Sequence, residues 1–347
     1  MNRTHFSLII LISIAGLILV NCNLPRISLA QATATFTQTA TSMDVTPTDT
    51  APPPFATAQL GLAENPLILA LPPSADSQEQ IAAAKTIASQ FTERTGYTVV
   101  TVVPDSYAAL VDALEKGNAH IVLLDPYAYE LAYQRDLVHA SFAVLKDGDG
   151  KYGAQFLAAR KGGFTSYFDE QIGENTTEDP AVALEQFANK KPCWSDDVSP
   201  SGYVIPLGYL NENQIAIKPA AFVEGHPTVV RSLYASGICD FGATYIDARK
   251  FPSLEDQFPD LVEQVMVVWR IPAIIPNNVL AFSTSMPQAM HDLFASIIPA
   301  IVQTADGQAA FKTAYDVEEL QAVNDGYYEE FHIYVTESGL DLTKLVK

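Results

Sequence analysis

From Leu67 onward the chain alternates short, wholly apolar runs with longer segments whose apolar residues recur at helical spacing, and this cadence restricts the fold more than any other feature. Leu67 to Leu71 is the first such run. Segment 76–95 places Ile81, Ala84, Ile87, Ala88 and Phe91 on one helical face and stops at Gly96. Tyr97 to Val103 is a β-branched strand, 107–116 a helix with Leu110, Ala113 and Leu114 inward, and Ile121 to Leu124 an apolar strand closed by Asp125-Pro126. Strands without polar alternation must be covered on both faces, so the order strand, helix, strand, helix, strand predicts a parallel sheet between helical layers.

The cadence then restarts. Helix 181–188, strand Pro192 to Trp194, helices 202–210 and 227–236 (the latter with Val230, Leu233 and Tyr234 as its stripe) and strand 238–243 describe a second α/β lobe. Val265 to Trp269 reads as a further strand, with Arg270-Ile271-Pro272 as the crossing back to the first lobe. Strand 278–282 and helices at 287–303, 307–314 and 317–323 have no sheet of their own and complete lobe one. The predicted organisation is therefore residues 65–155 for the first part of lobe 1, 156–270 for lobe 2, and 271–347 for the rest of lobe 1 with the C-terminal helices. A lobe interrupted by another puts two chain crossings between them, which is a hinge around a cleft.

The N-terminus supplies context. Met1-Asn2-Arg3 is basic, Phe6 to Val20 is apolar, and Leu19-Val20-Asn21-Cys22 is similar to a bacterial lipobox, so residues 1–22 read as a lipoprotein signal peptide with Cys22 lipidated. Asn21 stands where a small residue is usual, and an uncleaved signal anchor is the alternative; both leave the remainder extracytoplasmic and tethered to the cell membrane. Residues 23–64 are rich in Thr, Ala and Pro and bury too little apolar surface to order themselves, which predicts a disordered tether. A formal charge of −20 argues against nucleic acid or an acidic lipid surface as partner. The six histidines show no metal spacing, so neither a metal nor a cofactor is expected. Cys193 and Cys239 are either a disulfide or two buried thiols.

Pro192-Cys193-Trp194-Ser195-Asp196-Asp197-Val198-Ser199-Pro200-Ser201-Gly202-Tyr203 reads as a strand passing through a hydroxyl-rich turn into a helix. Such a turn aims backbone N–H groups and hydroxyls at one spot, as an anion site or as an ordinary helix cap. Three other segments stand where strand ends would face the cleft: Asp105-Ser106-Tyr107, Asp125-Pro126-Tyr127-Ala128-Tyr129, and Gly225-His226-Pro227 ahead of Asp240-Phe241-Gly242-Ala243.

In this order and spacing the chain, from about Asn65 to about Asn324, resembles the phosphonate, phosphite and phosphate group of periplasmic solute-binding proteins that feed ABC importers. The resemblance implies a two-lobed periplasmic-binding-protein fold of type II, α/β, with two parallel-rich sheets joined by a two-crossing hinge. It implies no enzymatic activity, but capture of a small oxyanion by a monomer and delivery to an ABC transporter permease. Ser199 and Ser201, with Gly202 and Tyr203 completing their turn, match the family's phosphoryl-binding residues; Tyr107, Tyr127 or Tyr129, and His226 match its other oxyanion contacts. Asp247 matches an acid that some members use for a ligand amine, or is simply a helix cap, and Asn278 stands where a second acid would be. Two positions depart from the pattern. Pro200 replaces a common threonine and so removes a hydroxyl and an N–H, and Asp125 replaces a glycine, setting a carboxylate at the mouth. A sulfonate or a zwitterionic metabolite is the alternative ligand, and partnership with a signalling system the alternative role.

Overall fold

The computed structural model describes residues 59–347 apart from Ser74 and Asp76; the expected signal segment with Cys22 and nearly all of the expected tether lie outside them. The elements in chain order are β1 (Leu67–Ala70), α1 (Gln78–Thr95), β2 (Val99–Val102), α2 (Tyr107–Glu115), β3 (Ile121–Leu124), α3 (Pro126–Gln134), β4 (Val138–Leu145), β5 (Lys151–Ala159), β6 (Phe168–Asp169), β7 (Glu174–Asn175), α4 (Pro180–Leu184) and β8 (Pro192–Trp194). They continue with α5 (Ile205–Glu212), β9 (Ala221–Phe222), α6 (His226–Ala235), β10 (Phe241–Tyr245), α7 (Pro252–Gln257), α8 (Leu261–Gln264), β11 (Val265–Pro276), β12 (Val279–Ser283), α9 (Gln288–Val302), α10 (Ala305–Tyr315), β13 (Glu319–Ala322), α11 (Glu329–Glu337) and α12 (Leu342–Leu345).

Local chemistry sets the helix ends that matter here. Ser77 and Gln80 form a reciprocal capping box at the start of α1, and Gly96 ends it in the left-handed conformation at φ 75°. Ser106 caps α2 and Asp125 caps α3, with Pro126 at the first helical position, where its missing N–H costs nothing.

The strands form two principal sheets, ordered β13-β4-β12-β3-β1-β2 and β11-β5-β10-β8-β9. Parallel pairing is confined to β2-β1-β3, where the sequence cadence predicts it, and to β10-β8-β9, whose edge strand β9 is not among the expected elements. Antiparallel strands complete both, so each sheet is mixed. The chain leaves the first sheet after Leu145, enters the second at Lys151 and rejoins the first at Val279, so the second sheet draws on residues 151–276, beyond the expected 156–270, and Tyr152 lies on it. One apolar cluster, with Phe91, Phe294 and Phe311, fills the layer between the first sheet and α1, α9 and α10; another, with Val229, Leu233 and Leu254, lies under α6 and α7. A third unites the facing layers of both lobes with the C-terminal residues Phe331, Val335 and Leu345. Gly208 permits that union, because a Cβ there would stand 2.1 Å from the Tyr334 carbonyl oxygen.

Two elements differ from expectation. Residues 317–323 hold the strand β13 instead of a helix, because backbone pairing to β4 fixes an edge segment whose side chains are mostly exposed and carry no burial period. β11 runs on through Arg270-Ile271-Pro272 to Pro276, absorbing register shifts beyond Val267 and Ile271, and the chain returns at Asn277-Asn278. Cys239 sits in the loop before β10, not in a strand, and is disulfide-bonded to Cys193 on β8. Among the described residues no helix is long and apolar enough to cross a membrane.

The disulfide spans a sequence separation of 46 residues. Loop-closure entropy assigns it roughly 4 kcal/mol as an upper figure. The Cys193→Ala/Cys239→Ala variant is expected to lose about 2–4 kcal/mol in urea unfolding while keeping the native circular dichroism.

Candidate functional site

The strand β8 runs into Ser195, and the chain then turns through 196–199 into a π-helical turn at Pro200–Val204 that continues as α5. Ser199 caps this turn, its Oγ accepting the Gly202 N–H at 3.0 Å. Ser199 and Ser201 are both buried. The His226 ring, at the start of α6, accepts the Tyr245 N–H at Nδ1 (3.4 Å). In a neutral imidazole this leaves the proton on Nε2, 3.4 Å from Ser199 Oγ. Burial lowers the His226 pKa, partly opposed by Asp196, so the ring is neutral at pH 7 and serves as a donor. With its lone pairs facing Gly202 and His226, Ser199 keeps its hydroxyl proton for a third partner.

Ser201 lies beside Tyr152 on β5, whose phenol is pushed up to about 12 by burial, partly opposed by the Ser201 hydroxyl. Ser201, His226, Tyr152 and Tyr245 line a cavity of about 620 Å³ together with Lys146, Lys151, Asp147 and Asp149. That volume is in the range of small-molecule clefts.

The other lobe contributes Tyr127, whose hydroxyl is buried with no hydrogen-bond partner among the described residues. Its pKa is raised by burial first, then by the neighbouring Tyr152, Asp125 and Asp196. Tyr127 of lobe 1 therefore stands within electrostatic reach of Tyr152 and Asp196 of lobe 2. Asp125 accepts the Ala128 N–H at 2.7 Å, so the carboxylate occupies the N-terminus of α3 itself. Burial raises its pKa despite that bond. The Tyr107 N–H, at the start of α2, donates to the Lys347 carbonyl at 2.9 Å, while the Tyr107 phenol is raised by burial and by Asp125.

Other expected residues lie apart from this group. The Tyr129 hydroxyl is spent on Asp325 at 2.8 Å, which leaves Tyr127 as the tyrosine facing the cleft. Asp247 is gripped by Arg249 through Nε (3.0 Å) and Nη2 (2.7 Å) and by Gln155 (2.8 Å). It also caps the short turn after it. These partners hold its pKa below the usual range against burial. Asn278 sits at the second crossing, its carbonyl accepting from Val144 N–H. Tyr203 packs against Trp194 and Phe222 as an aromatic wall of the turn. Among the described residues no cluster of His, Cys, Asp or Glu is placed to hold a metal ion.

Residues 69–328 match the family described as "ABC transporter, phosphonate, periplasmic substrate-binding protein". This chain belongs to that phosphonate-binding family. A relative in Mycolicibacterium smegmatis, the phosphate-import protein PhnD, is 25% identical over 251 residues, which cover 69% of this chain and 73% of the relative. The fold is shared with the Xanthomonas citri protein XAC2383 solved with ATP, at a TM-score of 0.56 and 16% identity, covering 81% of this chain and 99% of that one. The same protein solved with chloride gives 0.55 over 79% and 97%. As a member of the phosphonate-binding family the chain is an extracytoplasmic solute-binding component of an ABC transporter.

Tyr152 and Asp196 were not among the family residues expected here. Tyr152 carries no sequence signal, since its neighbour Ser201 lies in another element, whereas Asp196 stands within the turn itself and was legible as a charge beside the serines.

Asp125 generates a prediction of definite sign. A carboxyl whose folded pKa is raised opposes folding above that pKa, and the cost vanishes below the unfolded value near 3.8. Asn caps helices as well as Asp does. Asp125→Asn should therefore be more stable than the parent in urea at pH 7, with the gain shrinking toward pH 4; equal midpoints at pH 7 would contradict a buried charge that its backbone bonds only partly offset.

Proposed function

We propose that this protein captures a small tetrahedral oxyanion of phosphorus between its lobes and presents it to an ABC permease, held at the membrane through a lipid on Cys22 and acting as a monomer. One observation carries the reading: Ser199, Ser201, Tyr152 and a neutral His226 converge at the start of one helical turn, across from the unpartnered buried hydroxyl of Tyr127 on the other lobe. A tetrahedral anion has more acceptor lone pairs than one side chain can satisfy, and donors from both lobes can share it. Ligand that bridges the lobes favours the closed arrangement over the open one. The name of the mycobacterial relative, a phosphate importer, is consistent with this class of ligand.

The same geometry speaks against chemistry on the ligand. With Nδ1 accepting a backbone N–H, His226 offers Ser199 a proton and not a lone pair, which is the reverse of a general base. Asp125 and Asp196 beside the donors favour a singly charged ligand, or one carrying an ammonium group, over a dianion.

Titration calorimetry with inorganic phosphate, phosphite, methylphosphonate, 2-aminoethylphosphonate and taurine tests the proposal. At least one phosphorus compound should bind, and Ser199→Ala/Ser201→Ala should abolish it, each bond to a charged oxygen contributing about 1.5–3 kcal/mol. Binding of taurine alone, or of none, would sink the reading.

A further inference from the structure

Ser195, one residue past the end of β8, is fully buried, and its backbone is committed: its N–H donates to the Gly202 carbonyl (3.3 Å) and its carbonyl accepts the Gly225 N–H (2.9 Å). Its hydroxyl is not. Oγ is buried with no hydrogen-bond partner among the described residues. It lies over the Cα of Gly202, 2.0 Å from where a Cβ on that glycine would stand, and the His226 Cε1 is 2.9 Å from the same point. Gly202 is thus the hub of the turn: Ser199 Oγ holds its N–H, the Ser195 hydroxyl and the imidazole edge crowd its open face, and any larger residue would push them apart. A buried hydroxyl left unpaired is costly, and natural folds keep few of them.

The turn also has a shortage of donors. Pro200, between the two serines, has neither a hydroxyl nor an N–H. We propose that Ser195 supplies a third serine hydroxyl to the oxyanion cradle, reaching from the strand end into the face of the turn that Gly202 leaves open, and that it offsets the donors absent at Pro200. The inference rests on the oxyanion reading above and assigns Ser195 the role of a binding residue alongside Ser199 and Ser201. A strand's carboxyl end opening on the cleft is where α/β sheets place such groups.

The test uses the full chain with whichever of inorganic phosphate, phosphite and methylphosphonate the parent protein binds most tightly. Ser195→Ala should bind that ion about tenfold to a hundredfold more weakly. Its ligand-free melting temperature should be equal or higher, because the variant removes an unpaired buried hydroxyl. Ser195→Cys, close in shape but a weak donor, should bind as poorly as the alanine variant. Unchanged affinity in Ser195→Ala overturns the proposal, as does a lowered ligand-free melting temperature or failure to fold, either of which would make the hydroxyl structural. If Ser199→Ala/Ser201→Ala loses binding while Ser195→Ala does not, Ser195 alone is misassigned; if the parent binds none of the three ions, the oxyanion reading falls and this one with it.

Discussion

The geometry of the cleft depends on a single apolar cluster that belongs to both lobes at once. It runs from Leu110, Val111 and Tyr127 beneath the first sheet, through Phe331 and Val335 of the C-terminal helix α11, to Tyr209, Trp194 and Phe156 of the second lobe. α11 is bolted on both sides. Tyr334 stacks on Tyr209 with ring centroids 3.6 Å apart, and Asn211 donates to the Glu337 carbonyl at 3.0 Å. Opposite, His332 stacks on Tyr133 at 4.2 Å and pairs with the buried Glu130. Each large apolar side chain in this layer contributes about 1.5–3 kcal/mol by burial. The lobes are therefore joined by the two crossings at 146–150 and 277–278 and by this packed helix as well. In this arrangement of the lobes, that packing brings Tyr127 within reach of Tyr152.

The electrostatics follow from the same burial. A chain with a formal charge of −20 repels an approaching anion at long range, so attraction must come from groups that act at contact. The site answers with hydroxyls and a neutral imidazole, whose strength is greatest where water is excluded. Lys146 and Lys151 line the cavity, and Lys151 is committed to the Tyr327 carbonyl at 3.0 Å and to that ring's face. Neutral donors discriminate by number and direction instead of by charge, which makes each hydroxyl count.

What the sequence made legible is what burial on two faces writes into it. β1, β3 and β8 are apolar throughout because helices cover both sides, and their order gives the lobes without further help. β13 left no such mark: it is held by backbone bonds to β4 with its side chains mostly in water, so its composition is free to look helical. The strand β11 runs past Trp269 without a local mark of it, because Pro272, a residue that usually ends a strand, is accommodated where the register shifts between Ile271 and Ile275. In the site, Ser199 and Ser201 were legible from the motif and its capping chemistry. Tyr152 was not, because it meets Ser201 across 49 residues of chain and no local pattern encodes that meeting.

Asp247 shows how a residue type in the expected place can be claimed by a neighbour. Arg249 is buried, and a buried guanidinium without a partner is far costlier than a buried pair. Asp247, Glu170 at 2.9 Å and the Val265 carbonyl at 3.1 Å together satisfy it. A ligand amine would have to compete with a bidentate, charge-assisted pair two residues away. Asp147 and Asp149 line the cavity beside Lys146 and Lys151, while two further carboxylates lie toward lobe 1: Asp125, fixed by the helix it caps, and Asp196, tied to the Val198 N–H at 3.1 Å. Both stand beside Tyr127. In the binding proposed above, Asp125 and Asp196 would therefore act on the end of the ligand that the serines hold, whereas Asp247, already claimed by Arg249, would not act on it.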